Sequence, residues 1–376
     1  SFDFDYNALC SFCRDYETTD NNKDGKYFNK VGPNKDIFGN KGTYHIPYYS
    51  HGGRKGLGLS TFYKLCAYHL YNGNQINKQN NKKEHYINFA QYLPNIAPLC
   101  LDFDLVCNFT ENDKKKFKSG DILHIYNFNH ISKIVEILND IIYNNFEIEK
   151  EDIKAYVQEK EHFKFKGKEE VKDGLHIIYL SPFSIAQRFF IRDELIKKLE
   201  EINFIDSFNF KITNSYDEIV DEAVIERNPW LTYGSIKVNM KKLKDKEGNI
   251  IYYTNKKGEK KAKIQFEYSL PYILTHILDF DLYDENYDAL GNVLTYEEEE
   301  DLEYLMNLFN LDQFSNDDPL DVKTEKAEEF IEKKEKEKEN KIKRIKKIGN
   351  RIKNSNSDSE KHERIIYNYN LNTEIL

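Results

Sequence analysis

The stretch Pro98-Leu99-Cys100-Leu101-Asp102-Phe103-Asp104-Leu105 constrains this chain more than any other. A mostly apolar run leads straight into two carboxylates one residue apart. A strand alternates its faces with period two, so Asp102 and Asp104 point the same way. Two acids on one face of a buried strand repel each other and lose hydration; a divalent cation between them makes the arrangement tolerable. Oxygen ligands suit a hard ion, Mg²⁺ or Mn²⁺. Asp-x-Asp alone is a weak signal, and two further copies occur, Asp3/Asp5 and Asp279/Asp281. Neither follows a buried strand: the first lies at the N-terminus, and the second follows an apparently helical Leu270–Ile277. Only the Asp102 copy reads as a site.

The chain has 376 residues, 39% of them hydrophobic, room for two domains or one large one with appendages. It opens on Ser1, which suits a fragment. Net charge is −9, which argues weakly against nucleic-acid binding, but the charge is segregated along the chain. Five cysteines at 10, 13, 66, 100 and 107, irregularly spaced, read as free thiols of a reducing intracellular compartment. Cys10-Ser-Phe-Cys13 lacks a second Cys/His pair nearby, so ordinary thiols are favoured over structural zinc. No apolar run approaches the roughly 18 residues of a membrane span.

Residues 1–50 are polar and turn-rich. His51–Gly58 is a Gly-rich basic loop without the Gly-Lys-Ser/Thr ending of a phosphate-cradling loop, though Arg54 and Lys55 are able to touch phosphate. The spacing of Phe62, Leu65, Cys66 and Leu70 predicts a helix over Leu59–Tyr71, and Ser132 reads as the cap of a second helix. Residues 153–160 alternate as a strand. Lys172-Asp-Gly-Leu-His-Ile-Ile-Tyr-Leu180 is a turn feeding a buried strand with His176 at its start; a lone histidine there is either a satisfied core residue or a ligand. Ser184 starts a helix with Arg188 and Arg192 on one face, solvated or binding an anion. Asp221 follows an apolar pair, and Gly234-Ser235-Ile236-Lys237 is a turn whose open N–H groups and lysine suit phosphate. Between 237 and 263, ten lysines against three acids give a local balance of +7. This reads as a basic hairpin, either solvated or a nucleic-acid arm through Lys241, Lys242, Lys256, Lys257, Lys260 and Lys261. An acidic run at Glu297–Asp301 opens a helix ending near Asn310. Residues 323–353 read as a long solvated Lys/Glu helix, packing at most through Ile342, Ile345 and Ile348, with a disordered Asn354–Glu360 beyond.

Taken in order, the strand with Asp-x-Asp, Gly-Leu-His entering a strand, an apolar-flanked Asp and Gly-Ser-x-Lys resemble the archaeo-eukaryotic primase superfamily. The likeness is to the primase half of primase-helicases from poxviruses, mimiviruses and other large DNA viruses. It covers roughly residues 40–240, and Gly42-Thr-Tyr-His-Ile-Pro47 is similar to an upstream signature of that group. Where the superfamily often has Ser two before the histidine, this chain has Gly174; where many members carry an Arg before the Gly-Ser turn, it has Trp230 and Tyr233.

The resemblance implies an α+β (α/β) fold: an RRM-like β-sheet with an N-terminal α/β unit over 1–270, an acidic helical extension over 271–322, and a charged linker over 323–376 leading to a helicase. It implies Asp102, Asp104 and Asp221 as catalytic, metal-binding carboxylates for two Mg²⁺ or Mn²⁺ ions. His176, Ser235 and Lys237, with Arg188 and Arg192, would bind the nucleotide. The implied activity is DNA-dependent primer synthesis for viral DNA replication from NTP or dNTP on a single-stranded DNA template, in the infected host's cytoplasm. The implied partner is a C-terminal superfamily-3 helicase, a hexamer. Two other classes remain open on the residues themselves: a glycosyltransferase using Asp-x-Asp, and a non-catalytic nucleic-acid-binding module.

Overall fold

A computed structural model describes residues 58–80, 87–286 apart from 121, 246 and 255–257, and 299–354, with short pieces at 8–9, 11–13, 16–18, 27–30 and 43–45. Two sheets organise it. The first holds β1 (Glu17–Thr18), β2 (Tyr27–Lys30), β3 (Thr43–His45), β4 (Phe89–Gln91) and β9 (Trp230–Leu231), in the order β1-β3-β2-β4-β9. The central sheet holds β5 (Ile96–Asn108), β6 (Ala155–Glu159), β7 (Lys164–Phe165), β8 (Glu170–Ser184) and β14 (Ile273–Leu278). Its order is β14-β6-β8-β5, with β7 also against β8, and every pairing in it is antiparallel. Between β9 and β14 the chain forms β10 (Val238–Lys242), β11 (Tyr252–Thr254), β12 (Lys260–Ala262) and β13 (Ile264–Tyr268).

The period-two pattern of β5 and β8 decides the layering. Leu101, Phe103, Leu105 and Cys107 of β5 and Leu175, Ile177 and Tyr179 of β8 enter one buried core. Helices pack on that face. They are α3 (Phe128–Asn145), through Ile131, Ile134, Val135 and Leu138, and α4 (Ile185–Glu201), through Phe190, Ile191 and Leu195. The opposite face is only partly covered. There Cys100 and Ile178 meet a second core built from Phe62, Tyr63 and Cys66 of α1 (Leu59–Asn80), with Phe89 and Trp230. This cover ends beside Asp102, which leaves the acidic end of β5 accessible. The short α2 (Glu111–Ser119) follows β5, and two single-turn helices, α5 (Tyr216–Ile219) and α6 (Ala223–Glu226), flank Asp221. The result is an α+β fold.

Several local expectations shift. Asn127, not Ser132, caps α3: its side chain accepts the His130 N–H while the His130 ring accepts the Asn127 N–H. Ser132 is a turn further in. Ser184 caps α4 as read. The segment taken as helical, Leu270–Ile277, contains edge strand β14 paired with β6. Its β-branched Ile273, Thr275 and Ile277 fit a pleated surface, and a short apolar run does not separate helix from strand by period. The boundary expected at 270 therefore falls just before a strand of the central sheet. The acidic segment is no appendage either: α7 (Glu299–Leu308) and the turn after it place Leu305, Met306, Phe309 and Leu311 in the second core. Asp279 and Asp281 lie in a turn, where Asp279 Oδ1 accepts the N–H groups of Asp281 and Tyr283, each at 2.9 Å. Asp3, Asp5 and Cys10 lie outside the described residues, as do most of the Gly-rich loop, Gly42, Ile46 and Pro47 of the upstream signature, and 355–360.

The C-terminal helix α8 (Glu325–Asn354) docks by its first turns rather than through Ile342. Ala327 is buried, Phe330 and Ile331 pack on the first core, and the Phe330 ring lies 5.5 Å from that of Phe190. Lys326 pairs with Glu194. Ile342 is exposed. Phe330→Ala should therefore cost about 2–3 kcal/mol, seen as a lower melting temperature, whereas Ile342→Ala should stay within about 0.5 kcal/mol of the parent. Equal effects would mean that the distal helix is packed too.

Candidate functional site

The β5–β8 register sets the site. Asp102 stands opposite His176 and Asp104 opposite Gly174, all on the accessible face. Lys172, two residues before Gly174, shares that face and forms an ion pair with Asp104. Gly174 is required by close approach: a Cβ there would sit 2.3 Å from the Phe103 carbonyl oxygen and 3.3 Å from Asp104 Oδ1. A serine at this position would force the two strands apart.

Asp102 is the stressed group. Its Oδ1 is buried without a hydrogen-bond partner. His176 Nε2 lies 3.6 Å away, too far for a firm hydrogen bond. Burial, then the charge on Asp104, raise the Asp102 pKa to about 7 against the opposing pull of Lys237, Lys172 and Lys160. His176 is clamped between two rings, Tyr272 at 3.5 Å and Trp230 at 4.1 Å between centroids. Burial and then Lys160 and Lys237 depress its pKa well below the ordinary histidine value, so near neutral pH it is an uncharged imidazole with one donor and one acceptor.

Asp221 reaches the same strand end through its backbone. Its N–H donates to the Asp102 carbonyl at 3.0 Å, and Val220 bridges Phe103. Its carboxylate accepts the Ala223 N–H at 2.9 Å. Among the described residues no three His, Cys, Asp or Glu side chains are grouped to hold a metal. The donor set of Asp102 and Asp104 nonetheless fits a divalent cation. Two like-charged oxygen ligands face one space, and the buried Oδ1 is an acceptor lacking a donor.

The expected nucleotide ligands divide. Lys237 faces Asp102 and His176 closely enough to perturb both. Ser235 is buried and already engaged. Its hydroxyl pairs with that of Thr232 at 2.7 Å and accepts the Phe89 N–H at 3.2 Å, so it ties the Gly-Ser turn to β4. A buried hydroxyl needs such partners. Arg188 and Arg192 also serve the scaffold. Arg188 donates to the Pro94 carbonyl at 2.9 Å, and Arg192 donates to Val220 O at 2.8 Å and to the Asp217 carboxylate at 2.7 Å. Their shared helix face is the inward one. Of the hairpin lysines, Lys241 pairs with Glu267 and Lys261 with Glu259, Lys260 lies over the Tyr252 ring, and Lys242 is exposed. Lys256 and Lys257 lie outside the described residues.

Sequence reasoning missed three residues. Lys160 directly follows β6, two residues beyond Gln158, which pairs with His176; its ammonium sits 4.2 Å over the Tyr272 ring and senses both Asp102 and Asp104. Lys172 was detectable from its period-two relation to His176. Tyr272 carries no local signal, being brought in by β14 from far along the chain.

Residues 57–247, just over half of the chain, match the model of the C962R protein N-terminal AEP domain, AEP denoting the archaeo-eukaryotic primases. The chain belongs to this family. A stretch of 144 residues, 38% of the chain, is 30% identical to a protein of Acanthamoeba polyphaga mimivirus described as "Putative helicase L207/L206". The chain spans 13% of that relative's length. The primase family is one of nucleotidyltransferase-type enzymes. The glycosyltransferase alternative falls with this membership. No helix among the described residues is long and apolar enough to cross a membrane.

The elevated Asp102 pKa has a checkable sign. The folded protein holds this proton more tightly than the unfolded chain, so stability falls as pH rises from about 4 toward 7. In cation-free buffer Asp102→Asn should melt a few degrees above the parent at pH 8 and close to it at pH 5. His176 acts alike in both proteins and cancels. A variant less stable than the parent at pH 8 would contradict the assignment.

Proposed function

We propose that the chain is a DNA-dependent primase-polymerase domain that extends or starts primers by template-directed nucleotidyl transfer from NTP or dNTP. One observation carries the reading: the carboxylates Asp102 and Asp104 share a sheet face with His176 under Lys160 and Lys237, neither of which makes an ion pair among the described residues. Acids for a cation and bases for an anion on one small surface match a metal-complexed triphosphate.

In this reading Asp102 and Asp104 would hold Mg²⁺ or Mn²⁺, with Asp221 as the third carboxylate. The cation, when bound, supplies Lewis-acid stabilisation of charge on the transferring phosphoryl group and lowers the pKa of the attacking hydroxyl. His176 donates a hydrogen bond to a phosphate oxygen, held in position by Tyr272 and Trp230. Lys160, Lys172 and Lys237 offset the charge that builds on the departing pyrophosphate. Lys172 changes partner in doing so, from Asp104 to phosphate. The full-length protein would couple this domain to a helicase, a hexamer of superfamily 3, beyond the C-terminal helix, acting in the cytoplasm of the infected cell.

Primer extension on a single-stranded DNA template with Mn²⁺ or Mg²⁺ and labelled nucleotides tests the proposal. The parent should incorporate nucleotides. His176→Ala and Lys160→Ala should each lose about a hundred- to a thousandfold in rate, with template affinity nearly unchanged. Incorporation at the parent rate by a folded His176→Ala protein would overturn the assignment. Loss of stability, template binding and activity together would make His176 a core residue only.

A further inference from the structure

The segment between Lys237 and Ser269 leaves the body as a long double ribbon. Its stem is β10 against β13, with Val238 opposite Tyr268 and Lys242 opposite Ile264. Past the stem, Leu243, Ile251 and Lys263 interlock through three backbone hydrogen bonds of 2.8 Å, around a tight turn at Asp245–Gly248. A distal hairpin, β11 against β12, follows, with Tyr252 opposite Ala262 and Tyr253 opposite Lys261. None of the arm's described residues enters either core. A two-stranded ribbon without a core is marginal in water, so packing does not explain its length.

The arm's surface is unusual in two respects. Large rings and an isoleucine stand in solvent: Tyr252 at 47%, Tyr253 at 46%, Tyr268 at 41% and Ile264 at 51% exposure. Lysines are interleaved with them. Lys260 lies 4.8 Å over the Tyr252 ring, Lys261 is cross-strand from Tyr253, and Lys242 is cross-strand from Ile264. Lys242, Lys244, Lys260 and Lys263 are exposed and make no ion pair among the described residues. Both ends of the arm are anchored at the site. The Lys237 N–H donates to Ser269 Oγ and the Ser269 N–H to the Lys237 carbonyl, with Lys237 facing Asp102, and Tyr272 just beyond stacks on His176.

We propose that this arm binds single-stranded nucleic acid, with Tyr252 and Tyr253 offering a ring for base stacking on each face of the ribbon while Lys242, Lys244, Lys260 and Lys263 follow the phosphates. The proposal rests on the primase reading for its purpose but not for its chemistry. Exposed rings beside unpaired cations match a ligand that offers both flat apolar faces and regular negative charge. A duplex hides its base faces, and an acidic polypeptide has none, so the single strand is the occupant that uses both features. Anchoring at Lys237 and Tyr272 places such a strand next to the carboxylate face.

The test is fluorescence anisotropy with the whole chain, in chelator and without nucleotide, using labelled oligothymidylate, oligouridylate and a duplex of equal length. The parent should bind the single strands in preference to the duplex. Tyr252→Ala/Tyr253→Ala should weaken single-strand binding about tenfold or more and leave the salt dependence unchanged. Lys242→Ala/Lys260→Ala should flatten the slope of log affinity against log salt by about 0.7 per lysine. Comparing thymidylate with uridylate shows whether DNA or RNA is held. Because Tyr252, Tyr253, Lys242 and Lys260 are exposed and enter neither core, the variants should keep the parent's melting temperature. Unchanged single-strand affinity in the tyrosine variant, equal loss of duplex binding, or displacement by polyglutamate as effective as by oligonucleotide would each overturn the proposal. Binding without nucleotide incorporation would count against the primase reading alone.

Discussion

The pairing of β5 with β8 is the constraint on which the rest depends. With Asp102 opposite His176 and Asp104 opposite Gly174, the acids face outward while Leu101, Phe103 and Leu105 face the helices. A slip of one residue would drive both carboxylates into the core. The apolar side of β5 therefore holds the acids in place although they gain little from each other. Gly174 lets the strands approach closely enough for Lys172 to reach Asp104. Arg192 extends the same control to Asp221, since it grips the Val220 carbonyl from α4 and so fixes the turn that Asp221 follows. The charged centre is thus held largely by neutral contacts, which remain when a cation or substrate changes the local charge.

The parts that were legible in the sequence follow short-range rules. Alternation in β5 exposed both its core residues and the shared face of Asp102 and Asp104, and Ser184 announced α4; that His176 joins that face follows from the β5–β8 register. The parts that were not legible depend on long-range contacts or on which face of an element turns inward. Tyr272 meets His176 only because β14 joins the sheet through β6. Arg188 and Arg192 look like an anion-binding pair until the packing of α4 turns their face toward backbone carbonyls. Ser235 sits in a motif that suggests phosphate, yet its burial already commits the hydroxyl to Thr232 and Phe89. Packing separates the two residues of that turn: Lys237 acts on Asp102, whereas Ser235 is tied to Thr232 and Phe89.

Charge is distributed to match. A chain with a net charge of −9 gathers ten lysines between 237 and 263, and among the described ones Lys242, Lys244, Lys260 and Lys263 are exposed without an ion pair. Lys160, Lys172 and Lys237 stay behind at the site, where Asp102 and Asp104 offset their repulsion.

The central claim is that the accessible face of β5 and β8 is a cation-and-triphosphate site. A crystal of the protein with Mn²⁺ and a non-hydrolysable nucleoside triphosphate, with anomalous scattering recorded for the metal, tests it most directly. The account predicts a manganese peak bridging Asp102 and Asp104, with Asp221 as the third carboxylate and the phosphates against His176, Lys160 and Lys237. Manganese and nucleotide bound elsewhere, with Asp102 still protonated and unliganded, would contradict it.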